Sequence, residues 1–455
     1  MKKIFSIALL MVTALSFTGC VQEEDDIFDQ SAAERLNAAS TLYSKRLMAK
    51  PNGWAIQLYP TNDNETPYGN GYLVLCRFHD DYSVDVAMRN ELTGGLFKEA
   101  TSVWQVITDN GPVLSFNTYN EVLHAFTNPE DIPTTGTPEE PKNETGVGIG
   151  GDYEFIIVDA PEDASYMMLK GKKRGTYNLL TPMEDNVDYE SYLKDVSDFQ
   201  NAMFPSNSPT FDVVYFGDDI YKMEDANDGI PNIYPYDGDR VVDESFNPFL
   251  VTKRGDDYYL RFRDEISIRN TEDKVQDFRY DAAKDIFVSV AGDQYYIDGD
   301  KPVRFFNSTL DTNEFSALQW KWTRSSELSA EMKSVLDNID SQLRAFKYSF
   351  RENVLKVDNG RLILQLGYKS PNSTDVQYID CYMSSKPTDD GVELKFEGVD
   401  NEMKKMYDAV PAFSDLISLL SQQFVVTAAT TKFNLRSVKL TSKANPDLWF
   451  VLNLK

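Results

Sequence analysis

Histidine and cysteine are scarce: His79 and His124 are the only histidines, and Cys20, Cys76 and Cys381 the only cysteines, in 455 residues. Neither histidine sits in a His-Glu-x-x-His pattern, and no cysteine or histidine group offers three ligands at zinc spacing, so a protein-only catalytic zinc site is not expected. Also missing are the G-x-S-x-G elbow, the P-loop and the glycine-rich dinucleotide fingerprint. No cofactor is implied. Positive charge is short as well, with 45 Lys and Arg against 72 Asp and Glu and a net charge of −27. That balance argues against nucleic acid and against anionic lipid as partners of the protein surface.

After the first twenty residues no apolar run approaches membrane-spanning length. The first twenty are different. Lys2 and Lys3 precede about fourteen apolar residues, Ile4 to Phe17, a length suited to a signal peptide and too short to span a bilayer as a helix. Thr18-Gly19-Cys20 follows, then Gln22-Glu23-Glu24-Asp25-Asp26. The leader resembles a bacterial lipoprotein signal, which implies removal of residues 1–19 and lipidation of Cys20. It departs from the usual pattern in having Phe17 three residues before the cysteine. The acidic run looks like the export tag of Bacteroidetes lipoproteins, which implies an outer-membrane protein facing the cell exterior. The periplasmic face is the alternative, since acidic tethers keep a globular body off an anionic surface on either side.

Aromatic residues make up 13% of the chain, so the acidic charge rides on a folded body. Ser31-Ala-Ala-Glu34 reads as a capping box, and Leu36, Ala39, Tyr43 and Leu47 continue at helical spacing to Pro51-Asn52-Gly53. Period-two runs then predict strands at Trp54–Leu58, Tyr72–Phe78, Val84–Met88 and Val103–Ile107, and beyond Pro112, at Tyr153–Val158, Tyr166–Lys170 and Thr176–Leu180. Some eight antiparallel strands suggest a small barrel or a rolled sandwich. A loop rich in Pro, Thr, Glu and Gly, Asn128 to Gly151, interrupts them.

A helical stripe, Tyr189, Leu193, Val196, Phe199 and Met203, opens a second segment of short strands. A third segment mixes a helix starting near Ser325 or Ser326, strands, and a helical stretch from Glu402 to Gln423 that Pro411 should break. The expected fold class is mainly β with α+β: antiparallel meander, barrel-like or sandwich domains each led by a helix, and a C-terminal α+β domain. The expected divisions are a signal peptide (1–19), a lipidated acidic tether (20–30), a helix plus antiparallel β domain (31–183), a second mostly-β domain (184–308) and an α+β domain (309–455).

Several stretches carry a family resemblance: Gly53-Trp54, Tyr68-Gly-Asn-Gly-Tyr72, Pro112 to Asn120 with His124, Gly151 to Phe155, and Leu169 to Lys172. They are similar to a Bacteroidetes lipoprotein family of unknown function, domain of unknown function family 4302, most closely over residues 30–183. Members tend to accompany TonB-dependent importers and their substrate-binding lipoproteins. The resemblance implies a role in nutrient uptake, with such an importer and lipoprotein as partners and a glycan or peptide as ligand. A surface-anchored hydrolase with a carboxylate pair invisible to sequence reading is the alternative.

Candidate ligand-binding residues are few. Trp320 and Trp322, two apart in a strand, point to one side and could form a platform for a sugar ring, or belong to a core. Tyr119, Asn120 and His124 lie in the stretch most like the family, where packing is the competing reading. Glu224 to Gly229 and Asp298-Gly-Asp300 are oxygen-rich, but the first lacks the third and twelfth ligands of a calcium loop, and both read as polar turns. Arg254-Gly255-Asp256 reads as a turn. Cys76 and Cys381 are either bridged or buried separately as small hydrophobes.

Overall fold

A computed structural model describes residues 31–60, 71–109, 111–127, 149–205, 208–224, 226, 229, 231–236, 247–313 and 316–455. Cys20, the acidic run behind it and most of the Asn128 to Gly151 loop lie outside the described residues.

Helix α1 (Ala32–Met48) begins as its capping box requires: Ser31 accepts from the Glu34 amide while Glu34 accepts from the Ser31 amide. Eight antiparallel strands follow in meander order, β1 (Trp54–Leu58), β2 (Tyr72–Phe78), β3 (Ser83–Met88), β4 (Lys98–Thr108), β5 (Pro112–Phe116), β6 (Glu154–Asp159), β7 (Met167–Gly171) and β8 (Tyr177–Pro182). They form a closed barrel, β1 pairing with both β2 and β8, so that closure leaves no edge to solvent. Alternation along β1 sends Trp54, Ile56 and Leu58 into the barrel core and leaves Ala55 and Gln57 on its outer face. The Trp54 indole donates to the Leu47 carbonyl at 2.8 Å, tying the end of α1 to the barrel.

The second unit starts with α2 (Tyr189–Met203), capped by Asp188. Its strands are β9 (Asp212–Phe216), β10 (Asp219–Glu224), β11 (Asn232–Pro235), β12 (Phe249–Arg254), β13 (Asp257–Ser267), β14 (Lys274–Asp281), β15 (Ile286–Ser289) and β16 (Tyr295–Asp298). They make one sheet in the order β11-β10-β9-β16-β15-β14-β13-β12, with β11 and β12 at the edges. Helix α2 is the wedge between units. Its Tyr189, Leu193 and Val196 share a core with Ala55, Leu75 and Ala87 on the outside of the first barrel and with Val251, Leu260 and Phe278 of the sheet.

The third unit contains α3 (Pro302–Thr309), β17 (Gln319–Trp322), α4 (Ala330–Ala345), β18 (Ser349–Asp358), β19 (Arg361–Lys369), β20 (Gln377–Thr388), β21 (Gly391–Val399), α5 (Lys404–Ala409), α6 (Ala412–Leu420), β22 (Gln423–Ala428), β23 (Ser437–Ser442) and β24 (Trp449–Leu454). Its eight strands close into a second barrel through β17 and β24. The molecule is thus mainly β, as the alternation in the sequence indicates. Pro411 does split the last helical stretch, standing between α5 and α6. Helix α4 starts later than expected, because Ser329 is the cap that accepts from the Met332 amide, whereas Ser326 accepts from the Thr323 amide in a preceding turn.

The third unit is latched to the sheet. Asp285 accepts from the Thr431 hydroxyl at 2.7 Å and the Lys432 amide at 2.6 Å, Lys432 pairs with Asp298, and Phe433 enters the core around α2. Cys76 and Cys381 are free thiols buried in separate barrels, where each behaves as a small hydrophobe.

Candidate functional site

Where the outer face of the first barrel meets the edge of the middle sheet there is a cleft of about 750 Å³, a size that suits a small ligand. Its placement begins at the Pro51-Asn52-Gly53 turn. Gly53 has φ +76°, and a Cβ there would stand 2.1 Å from the Cys76 carbonyl, so only glycine fits. The neighbouring Asn52 side chain donates to the carbonyls of Glu184 (2.7 Å) and Val187 (3.0 Å) and accepts from Arg77, while its own carbonyl accepts from the Tyr189 hydroxyl at 2.7 Å. These bonds fix the path of the connection between β8 and α2, which forms one wall.

The floor is the outside of the first barrel: Ala55 of β1, Met168 of β7, and Leu179 and Thr181 of β8. Two residues along β1 from Ala55, on the same face, Gln57 is only 1% exposed and neither polar atom of its amide has a hydrogen-bond partner among the described residues. Its cross-strand neighbours are Leu73 and the floor residue Leu179.

The opposite wall is the edge strand β12. Tyr192 of α2 uses its hydroxyl twice, donating to the Lys253 carbonyl (2.9 Å) and accepting from the Lys253 amide (3.1 Å), and so satisfies a stretch of bare edge backbone. Burial pushes that hydroxyl up to about 12. Lys253 pairs with Asp195 at 2.7 Å, and the Gly255 amide in the β12–β13 turn donates to Glu184 at 2.7 Å. Asp188 caps α2 by accepting from the Ser191 amide, which holds its carboxyl below the usual range, and Asp159 accepts from the Tyr166 hydroxyl. Arg261 is paired with Asp277.

Two uncommitted polar groups on β12 face the cleft among the described residues. Thr252 is only 4% exposed, faces the cleft, and makes no hydrogen bond with its hydroxyl. Arg254, two residues along the same strand face, lays its guanidinium over the Tyr259 ring at 4.9 Å and has no carboxylate in ion-pair range.

The residues singled out in the sequence do not gather here. Trp320 and Trp322 do share one side of β17, but it is the inside of the second barrel, where they are 0% and 1% exposed. Trp320 packs on Phe305 and Phe306 and donates to the Thr309 hydroxyl, and Trp322 packs on Phe450. The expected platform is therefore corrected to core. Asn120 is likewise structural: at 1% exposure it donates to the Ala100 carbonyl and the Ser102 hydroxyl and accepts from the Val122 and Leu123 amides. Tyr119 and His124 do come together, with Tyr153, on the first barrel. The His124 ring is stacked on Tyr153 (5.2 Å) and tilted against Tyr119 (5.3 Å), and Tyr119 and Tyr153 are exposed.

Of the oxygen-rich turns, Asp298 and Asp300 are spent on Lys432 and Arg304, and Glu224 to Gly229 is only partly within the described residues. No group of three metal-ligating side chains occurs among the described residues. Sequence reading missed Thr252, Tyr192 and the role of Arg254. The only available signal was the Arg254-Gly255 turn, which marks a hairpin tip without saying what it faces.

Comparison with known proteins adds a family and little else. No curated protein matches the chain. Among solved structures, the DNA polymerase III β subunit of Thermotoga maritima is 11% identical over 92% of this chain and 96% of its own, with a TM-score of 0.14. A double mutant of transferrin-binding protein B from Haemophilus parasuis is 8% identical over 88% of this chain and 74% of its own, also at 0.14. Scores that low bear on neither fold nor function. The family match is of another kind: it runs from residue 24 to residue 282, past the first barrel and through β14 of the middle sheet, and by it the chain belongs to the DUF4302 family, a domain of unknown function.

Proposed function

We propose that this protein is a lipid-anchored outer-membrane lipoprotein that faces the cell exterior and binds a glycan or peptide for a nutrient-uptake system, without turning it over. The observation that carries the reading is the cleft between the first barrel and β12. Its walls are held by fixed hydrogen bonds, so a ligand meets a prepared surface. The four carboxylates that line it, Asp159, Glu184, Asp188 and Asp195, each hold a neighbouring hydroxyl, amide or ammonium in place, which suits a binding surface better than an acid–base pair. The leader supports the address, with Cys20 as the lipidated residue and the acidic run behind it as the export tag. A TonB-dependent importer and its substrate-binding lipoprotein are the partners that the family resemblance suggests.

Glycan arrays and a peptide library, with mass analysis of the recovered ligand, test the binding role on the mature chain. Saturable binding of an unchanged ligand is expected; cleavage of the ligand, or no binding to either collection, overturns it. For the address, Cys20→Ala should abolish incorporation of labelled palmitate, and protease added to intact cells should digest the wild-type protein. Survival of the protein on intact cells overturns outward display.

A further inference from the structure

We infer that the ligand of this cleft is a peptide whose free carboxylate is held by Arg254 and whose aliphatic side chains lie on the outer face of the first barrel; the inference rests on the binding role proposed above.

The first ground is charge. Lys253 and Arg261 are neutralised by Asp195 and Asp277, which leaves Arg254 as the cation of the described lining without a carboxylate in ion-pair range, while Asp159, Glu184 and Asp188 are each held by a neutral hydroxyl or amide. Stacking on Tyr259 orients the guanidinium and leaves its N–H groups available, and a planar fork of donors matches a carboxylate.

The second ground is the floor. Ala55, Met168, Leu179, Pro182 and Met183 are small or aliphatic. Sugar rings are held by flat aromatic faces; of the two aromatic rings in the lining, Tyr192 is 8% exposed with its hydroxyl committed to β12, and Tyr166 is tied through its hydroxyl to Asp159. An aliphatic floor gains by covering methyl and methylene groups, which a peptide brings and a sugar does not.

The third ground is Thr252. Thr252 lines the cleft at 4% exposure, and its hydroxyl, without a hydrogen bond among the described residues, offers one donor and one acceptor beside the floor. Arg254 lies two residues further along the same face of β12, about 6.6 Å at strand rise, the spacing between the next-to-last peptide group of an extended chain and its terminal carboxylate. Thr252 would then meet the next-to-last peptide group while Arg254 meets the carboxylate.

The test uses the mature full-length chain and two probes, N-acetyl-Ala-Leu-Ala-Leu as the free acid and as the C-terminal amide, with a neutral cello-oligosaccharide as the third arm, titrated by calorimetry. The acid should bind at least tenfold more tightly than the amide. Arg254→Met should remove that difference, weakening the acid by about ten- to a hundredfold and leaving the amide unchanged, the range expected for one charge-assisted contact. Thr252→Val should weaken both peptides. Arg254→Lys should recover part of the preference, and because residue 254 is exposed the melting temperature should stay at the wild-type value. Equal affinity for acid and amide, or an Arg254→Met effect of the same size on both, overturns the inference while the binding role stands. So does binding of the oligosaccharide in place of both peptides. Only an absence of ligands across the glycan and peptide collections removes the binding role itself.

Discussion

Replacing Gln57 by methionine should make this protein more stable, although it deletes two polar atoms. Gln57 lies on the outer face of β1 at 1% exposure, and both its amide nitrogen and its amide oxygen lack partners among the described residues. An unpaired neutral polar group in an apolar site costs about 1–3 kcal/mol, because it has given up water and gained nothing in return. Methionine has a similar length and volume, so the packing against Leu73 and Leu179 should survive at a cost below about 1.5 kcal/mol. The net expectation is a gain of about 1–2 kcal/mol, or roughly five- to thirtyfold in the unfolding constant. Urea titration followed by tryptophan fluorescence measures it, with Trp54 and Trp104, both 0% exposed, reporting on the first barrel. Gln57→Glu is the control: a carboxylate at this position has no cation to meet, and the barrel should lose stability at neutral pH and recover part of it in acid. A midpoint for Gln57→Met that is unchanged or lower, with an unchanged slope, would refute the reasoning, since it would mean that the amide is hydrogen-bonded in the native protein.

Further predictions concern buried charge and backbone. Asp212 is 6% exposed, and burial together with Asp300 and Asp298 pushes its carboxyl well above the usual range. The folded form therefore holds a proton that the unfolded chain has already lost, and stability falls as pH rises from the unfolded carboxylate range, near about 4, through the folded value. Asp212→Asn should accordingly stabilise the protein at neutral pH and converge with wild type in acid; a difference independent of pH in thermal melts would contradict this. Gly53→Ala should cost more than about 2 kcal/mol, because a left-handed backbone and a Cβ 2.1 Å from the Cys76 carbonyl act together. Chemical denaturation measures that cost, and a loss below about 0.5 kcal/mol would show that the turn can relax.

Much of the fold is legible in the chain because it is written in local chemistry. Ser31 and Glu34 announce a helix start, Pro411 a break, and the alternation of Trp54, Ile56 and Leu58 a strand with one buried side. Helix α3 is harder to see: it is eight residues long, and Lys301 at its start makes no side-chain cap. Strand β18 hides its alternation behind a bulge between Phe350 and Glu352. The two tryptophans of β17 show a different limit, since a period of two says that Trp320 and Trp322 share a face but not whether that face is the inside of a barrel.

The cleft was the least legible part for the same reason. Ala55, Leu179 and Thr252 come from three strands and two units, and each lies on a sheet face that local pattern would assign to solvent. Only the wedge of α2 between barrel and sheet turns those faces toward each other. The family match, which runs through the first barrel and into β14, includes both walls of the cleft.

The most direct test of the account fills that cleft and asks whether binding survives. Thr181 is a partly exposed floor residue, so Thr181→Trp should place an indole in the space with little change in melting temperature. Titration of whichever ligand the glycan or peptide collection identifies should then show affinity lost by a hundredfold or more relative to wild type. Wild-type affinity in a folded Thr181→Trp protein would contradict the account and place the ligand elsewhere on the molecule.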